Sequence, residues 1–325
     1  MAISPARQAL IEMDAAYPET ASRQLARMAY KRYPALWPNE TACLTMIRAM
    51  RGAQGNRQRH LKKLENPEPK IVIPEARKVW KFDRHFDIPG PATVLVMSDI
   101  HIPFHDVAAV EAAVAYGKAQ GVTHVLLLGD ALDCHTPSFW ETDPRERDFP
   151  EEIETAIAFF KWLRSEFPKA KIILKDGNHE ERYERFMIQK APELLSVKAF
   201  QFSEVFELAK HGIEHVTERR KIRIGKLLAI HGHEVRFSSA VNPARGLWLK
   251  MKVSAIAGHL HRSSTHSERD GHGHTHFTYG LGCLCDLEPK YAPMNEWTHG
   301  FATVRVEKDG AWHCDNKKII DGKVY

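Results

Sequence analysis

The chain has 325 residues, 43% hydrophobic and 27% charged, with a net charge of +5. That is the composition of an ordinary folded protein, long enough for one large catalytic domain and a small second one. No stretch approaches the ~18 apolar residues of a membrane span, and Met1–Leu10 lacks the apolar core of a signal peptide, so no membrane contact and a cytoplasmic location are expected.

The charge is uneven. Residues 1–70 hold 12 Lys/Arg against 6 Asp/Glu, and the remainder holds 34 against 35. An excess confined to one end predicts an acidic partner for that end. The five cysteines (Cys43, Cys134, Cys283, Cys285, Cys314) are sparse and odd in number, which fits a reducing compartment better than a disulfide framework. Cys283 and Cys285 alternate along an expected strand, where packing is the simplest role and a redox or metal role the alternative.

Residues 1–66 read as a small all-α domain of three helices. The second, near Ser22–Lys31, sets Leu25, Met28 and Ala29 on one face. The third opens at Asn39, an N-cap after Pro38, and places Cys43, Met46, Ile47 and Met50 at i, i+3, i+4 and i+7. Arg48 and Arg51 end this helix, and a basic tail follows with Arg57, Arg59, His60, Lys62 and Lys63. The pattern is similar to a helix-turn-helix-like module, with Arg48, Arg51, Arg57, Arg59, Lys62 and Lys63 as candidate nucleic-acid contacts. The connection Tyr33–Pro38 is longer than the usual turn of such a module. The alternative is a solvated helical cap or an oligomerisation segment, and the oligomeric state is open.

Residues 67–91 form a proline-rich linker with one expected edge strand at Lys70–Ile73. From residue 92 to 325 the chain reads as one domain. It opens with a strand at 93–98, a helix near 106–119, a strand at 124–128, a helix near 151–165 and a strand at 171–175. That rhythm predicts a parallel sheet. A long loop from Asp130 to Pro150 carries Trp140, Arg145 and Arg147, and residues 180–210 read as helical insertions with Arg182, Arg185 and Lys190. Strands follow at 221–231, 253–259, 275–280, 300–306 and 311–319, as expected for a second sheet.

Five apolar runs each end in a short polar signature. They are Asp99-Ile-His101, Gly129-Asp130, Gly177-Asn-His-Glu180, His231-Gly-His233 and Gly258-His-Leu-His261. Buried strands deliver such residues beyond their carboxyl ends, so five strands are expected to bring them to one edge of one sheet. Imidazole, carboxylate and amide oxygen together are the donors of a transition-metal site.

This ordered set resembles the calcineurin-like metallophosphoesterase family over roughly residues 93–305. The resemblance implies an α/β fold, a two-sheet β-sandwich flanked by helices, here with the N-terminal all-α domain added. It implies two divalent ions, Mn first among Mn, Fe, Zn, Co, Ni and Mg. Asp99, His101 and His261 would hold one ion, Asn178, His231 and His259 the other, and Asp130 would bridge them. A metal-bridging hydroxide would attack phosphorus. His179 would assist the leaving group, oriented by Asp133. Arg182 and Arg185 are candidate substrate contacts or surface ion pairs. Protein phosphatases of the family continue Gly-Asp-x-x-Asp with Arg-Gly, whereas Cys134-His135 stand here, which argues against a protein substrate. His233 faces the site or packs, and the His266, His272, His274 and His276 set marks a solvated hairpin around Asp270-Gly271.

A nuclease is therefore the leading expectation, with nucleic acid met through the N-terminal module. A small-molecule phosphatase or nucleotide pyrophosphatase keeps the chemistry and changes the substrate. A nucleic-acid-binding protein with a vestigial site is the reading of another class.

Overall fold

Asn39 starts a helix by accepting the N–H of Ala42 through Oδ1 at 2.8 Å, the capping that an Asn at this position supplies. In the structure, a computed structural model, the described residues are 3–52, 73–75, 85–138, 148–217, 219–235, 237 and 241–325. The chain divides into two units, Met1–Val79 and Trp80–Tyr325. The first contains α1 (Pro5–Ala16), α2 (Ser22–Arg32) and α3 (Glu40–Arg51), the last ended by Gly52 at φ 77°. Leu10, Met13, Leu25, Ala29, Trp37, Cys43 and Ile47 form its core. Met46 and Met50, expected on the same face of α3, are half-buried against that core. Of the expected edge strand Lys70–Ile73, only Ile73 lies among the described residues, and it is exposed.

The second unit begins with β1 (Phe86–Ile88), which falls within the stretch expected as linker and pairs with a later strand. Along β2 (Ala92–Met97) successive side chains enter different cores. Leu95 and Met97 join one cluster and Val94 and Val96 another, as the two-residue period of a strand dictates. After α4 (Val107–Ala119), β3 (His124–Leu128) repeats the split, and after α5 (Phe149–Glu166) so does β4 (Lys171–Lys175). A sheet apolar on both faces needs a cover on each. Helices α4 and α5 cover one face with Val110, Val114, Phe160 and Leu163. A second sheet covers the other.

The rest of the unit supplies that sheet. The elements in order are α6 (Glu180–Lys190), α7 (Phe202–Val205), β5 (Ile213–Val216), β6 (Ile222–Ile224), β7 (Leu227–Ile230), α8 (Pro243–Met251) and β8 (Ala255–Ala257). Then come β9 (Ser264–Arg269), β10 (Thr275–Gly280), β11 (Gly300–Val306), β12 (Trp312–Ile320) and β13 (Lys323–Val324). One sheet runs β13-β12-β11-β2-β3-β4-β5 and the other β1-β6-β7-β8-β10-β9. Ile222, Ile224, Leu227, Ala229 and Ile256 of the second share a core with Val94, Leu126 and Ile173 of the first. Each fully buried aliphatic of this kind contributes about 1.5–3 kcal/mol. Helix α8 closes the outer face through Leu247, beside Ile230 and Ala257.

The stretch 221–231, expected as one strand, is a hairpin. Ile222 pairs with Ala229 and Gly225 turns at φ 58°, a left-handed conformation that glycine adopts without strain.

Candidate metal centre

The polar signatures stand at the carboxyl ends of β2, β3, β4, β7 and β8. Three of these strands belong to the seven-stranded sheet and two to the six-stranded one. The expectation of one edge of one sheet is thereby corrected. The shared core holds the sheets face to face, so their strand ends meet across the sandwich. Asp99, His101, Asp130, His259 and His261 all have left-handed backbone, with φ of 56°, 53°, 50°, 70° and 56°. Such residues cost about 1–3 kcal/mol each and persist where the surroundings hold them. Close approach is what the glycines permit: a Cβ on Gly177 would collide with Asp130, and one on Gly258 with Ser98 and Asp99.

Two groups of donors result. In one, His261 Nε2 lies 3.2 Å from Asp99 Oδ1 and 3.3 Å from His101 Nε2. In the other, His231 Nε2 lies 3.1 Å from Asp130 Oδ2, and Asp130, His231 and His259 are close enough to hold one cation. Asp130 also groups with His101 and His179, so it stands between the two sets. The backbone N–H of His259 donates to Asp99 at 2.9 Å, tying the β8 turn to the β2 turn. The far ring nitrogens fix the tautomers. His101 Nδ1 donates to Asp133 at 2.8 Å and His231 Nδ1 to the Leu128 carbonyl at 2.9 Å, which turns each Nε2 inward as a ligating His requires.

Asp133 therefore serves more than His101. Besides His101, its Oδ1 lies 3.1 Å from His179 Nδ1, which also donates to the Asp133 carbonyl at 2.8 Å. Arg182 joins this group, its guanidinium donating to the same carbonyl at 3.0 Å and to His179 Nε2 at 2.7 Å. Arg185 is elsewhere. It is exposed and lies 3.9 Å from Glu181, the surface ion pair that its helical spacing allowed. Glu181 also takes Arg219 at 2.7 Å and His233 at 3.1 Å. With that partner, His233 lines a cavity of about 260 Å³ beside Asn178, Phe237 and His259.

The buried charges support one another. Burial opposes ionisation of Asp130, yet the charges of His179 and His231 hold its carboxyl well below the usual range. Burial likewise pushes His231 and His261 down, but Asp130 and Asp99 override it and raise them to about 9 and about 10. His259, with burial and the His231 charge against it, falls to about 4. Carboxylates this deep hold protons on their imidazole neighbours, and an entering cation releases them. Asn178 Oδ1 is buried with no hydrogen-bond partner among the described residues. An orphaned amide oxygen beside imidazoles and carboxylates fits a divalent ion of the Mn, Fe, Zn or Co type.

A family model described as calcineurin-like phosphoesterase matches residues 92–291. The chain belongs to that family. It is a metal-dependent phosphoesterase. The phosphoesterase is 28% identical to the Gene 54 protein of Mycobacterium phage L5 over 229 residues, 66% of this chain and 89% of that one. The Gene 54 protein of Mycobacterium phage D29 is 26% identical over the same shares. Among solved structures it is similar to vacuolar protein sorting 29 from Cryptosporidium parvum, at TM-score 0.37 and 14% identity, covering 72% of this chain and 94% of that one. It is also similar to Yfce, a phosphoesterase from E. coli, at TM-score 0.32 and 15% identity, covering 69% and 98%.

Two features of the phosphoesterase site were not read from its sequence. Glu180 accepts the backbone N–H groups of Asp130, Leu132 and Gly177 at 3.0, 3.0 and 2.8 Å. Cys285 Sγ lies 4.0 Å from His261 Nδ1, the ring nitrogen turned away from Asp99. The thiol therefore sits behind the centre, in the place where a carbonyl or carboxylate commonly orients a ligand. The four other histidines of the expected cluster mark the β9–β10 hairpin, where His266 meets Glu268 at 3.0 Å and His276 meets Asp270 at 2.9 Å.

In the N-terminal unit, Arg48 is exposed. Arg51, expected as a nucleic-acid contact, is instead engaged inside its own unit, 2.6 Å from Asp14 and bonded to Thr20 and Ser22. Arg57, Arg59, Lys62 and Lys63 lie outside the described residues, as do Trp140, Arg145 and Arg147.

Proposed function

We propose that this phosphoesterase is a Mn-type dinuclear phosphodiesterase that cleaves nucleic acid in the cytoplasm, with residues 1–66 as its polymer-binding module. Asp99, His101 and His261 would hold one ion and Asn178, His231 and His259 the other, with Asp130 between them. When bound, the ions supply Lewis-acid charge to a phosphate and an activated water. The chain supplies the rest. His179 Nε2 lies 3.7 Å from Asp130 Oδ2 at the centre, in reach of a leaving oxygen. Asp133 holds its Nδ1 proton, and Arg182 brings a fixed positive charge beside it for developing negative charge on the leaving group or phosphate.

The observation that carries a polymeric substrate is the charge asymmetry, 12 Lys/Arg against 6 Asp/Glu in residues 1–70 and near balance beyond. A basic segment of this kind follows phosphates without regard to sequence. The test is hydrolysis, with Mn added, of labelled single- and double-stranded DNA, RNA and a set of mononucleotides. Asp130→Asn is the inactive control. Polymer cleavage that disappears in the control is the expected result. Cleavage of small nucleotides alone would overturn the nuclease reading and leave a small-molecule phosphatase or pyrophosphatase.

A further inference from the structure

Beside His261, one of the candidate ligands, stands a pair of aromatic side chains. The Trp297 ring lies 4.1 Å from the His261 ring at 62°, and Tyr291 lies 6.2 Å beyond Trp297. Tyr291 is 75% exposed and Met294 between them 96% exposed. Neither Trp297 nor Tyr291 belongs to any of the apolar clusters formed by the described residues. Large exposed apolar groups gathered at one place mark a binding surface rather than ordinary packing.

The loop that presents them is built to stay in place. Asn295 donates through Nδ2 to the carbonyls of Leu287 and Ala292 at 2.6 and 2.8 Å, while its Oδ1 accepts the N–H of Trp297 at 2.8 Å. One amide thus spans both arms of the loop. Thr298 donates its N–H to the His261 carbonyl at 2.8 Å, and Arg262 pairs with Glu296 at 2.7 Å. The indole is therefore fixed relative to His261.

From this placement we infer that Trp297 and Tyr291 form a stacking platform for a nucleobase next to the phosphate under attack. The inference rests on the nucleic-acid reading above and names how that substrate is gripped. An aromatic face accepts any base, because every base has a π-face, so the platform selects nucleotides over other phosphoesters without selecting sequence.

A binding ratio tests it without turnover. The full-length protein with Mn is titrated calorimetrically with a nucleoside 5′-phosphonate, and separately with the same phosphonate on an abasic sugar. Wild type is expected to favour the base-bearing ligand by roughly fivefold to a hundredfold, the range that base–aromatic stacking supplies. Tyr291→Leu, which does not touch His261, is expected to remove a large part of that preference, and Trp297→Leu most of it. Equal affinity of wild type for both ligands would overturn the platform. So would a preference that survives both substitutions. If Trp297→Leu weakens both ligands equally and Tyr291→Leu weakens neither, Trp297 merely braces His261 and the platform is again overturned. Failure to cleave polynucleotide would count against the nuclease reading alone, since this ratio is read from binding.

Discussion

Glu180 Oε2 accepts the backbone N–H of Asp130 at 3.0 Å, although 50 residues separate the two in the chain. The same carboxylate takes Leu132 and Gly177, so it stitches the turn after β3 to the turn after β4. Removing it leaves three buried N–H groups without an acceptor, each costing about 1–3 kcal/mol. Glu180→Ala is expected to destabilise the catalytic unit by roughly 3–5 kcal/mol, measured by urea unfolding. Glu180→Gln keeps an oxygen on one side only, so its loss should be smaller. A Glu180→Ala variant within about 1 kcal/mol of wild type would remove the clamp from the account.

Arg182 donates to His179 Nε2 at 2.7 Å, so that nitrogen must exchange this bond for a proton before it can act as an acid, which makes a second prediction about roles. If His179 protonates the leaving oxygen, its loss should matter little for a good leaving group and greatly for a poor one. His179→Ala is expected to lower kcat about a hundredfold on an alkyl phosphodiester and much less on a p-nitrophenyl diester. Arg182→Ala should show the same direction, and the double variant should fall short of the product of the single losses, because the pair acts as a unit. Equal losses on both esters would deny His179 the acid role.

The seven candidate ligands were legible because each follows an apolar run, and a strand's carboxyl end is where such residues gather. What the sequence hid is tertiary. Nothing in Val253–Ala257 says that its strand joins β7 and β10 rather than β3, so a site shared by two sheets looked like the edge of one. A short strand was lost too: β5 (Ile213–Val216) carries too few apolar residues to show a period. Helix α8 had its signals in Asn242 and Pro243, a cap and a first-turn proline, but its nine residues include a glycine that weakens the pattern. Glu180 and Trp297 act through partners far along the chain. Arg51 ends α3 beside Arg48, and only the fold reveals that Asp14 holds one of them.

Glu152, on the first turn of α5, gives the pH dependence. Burial first, and then the Asp133 charge, push its carboxyl up to about 7 from an ordinary value of 4.5. A group whose folded pKa is raised contributes stability that is fully present below the unfolded pKa and is lost as pH rises through the folded one. Between pH 4.5 and pH 7 the folded protein binds the proton that the unfolded chain has released. Wild type should therefore lose stability relative to Glu152→Gln as pH rises from about 5 to 8, by on the order of 3 kcal/mol. Thermal unfolding of both proteins across that range measures it. Parallel curves would mean that Glu152 is ionised throughout.

Arg48 and Arg51 separate binding from folding in the N-terminal unit. Both lie in the last turn of α3, and from sequence they are equivalent. Arg51 has only 18% of its side chain exposed and pairs with an Asp14 that is 17% exposed, so breaking the pair leaves a largely desolvated carboxylate without its partner. Arg51→Ala is expected to destabilise this unit by about 2–3 kcal/mol, in the range of charged hydrogen bonds. Arg48 is exposed, and a surface arginine of this kind adds little to stability. On the nucleic-acid reading, Arg48→Ala should leave the melting curve in place. It should weaken DNA binding about equally across sequences, lowering the slope of log affinity against log salt by roughly 0.9 for each phosphate that the arginine no longer neutralises. Fluorescence anisotropy at several salt concentrations, beside far-UV melting, reads both quantities. An Arg48→Ala protein whose salt slope matches wild type would remove α3 from the DNA-binding face and leave the unit as a helical cap.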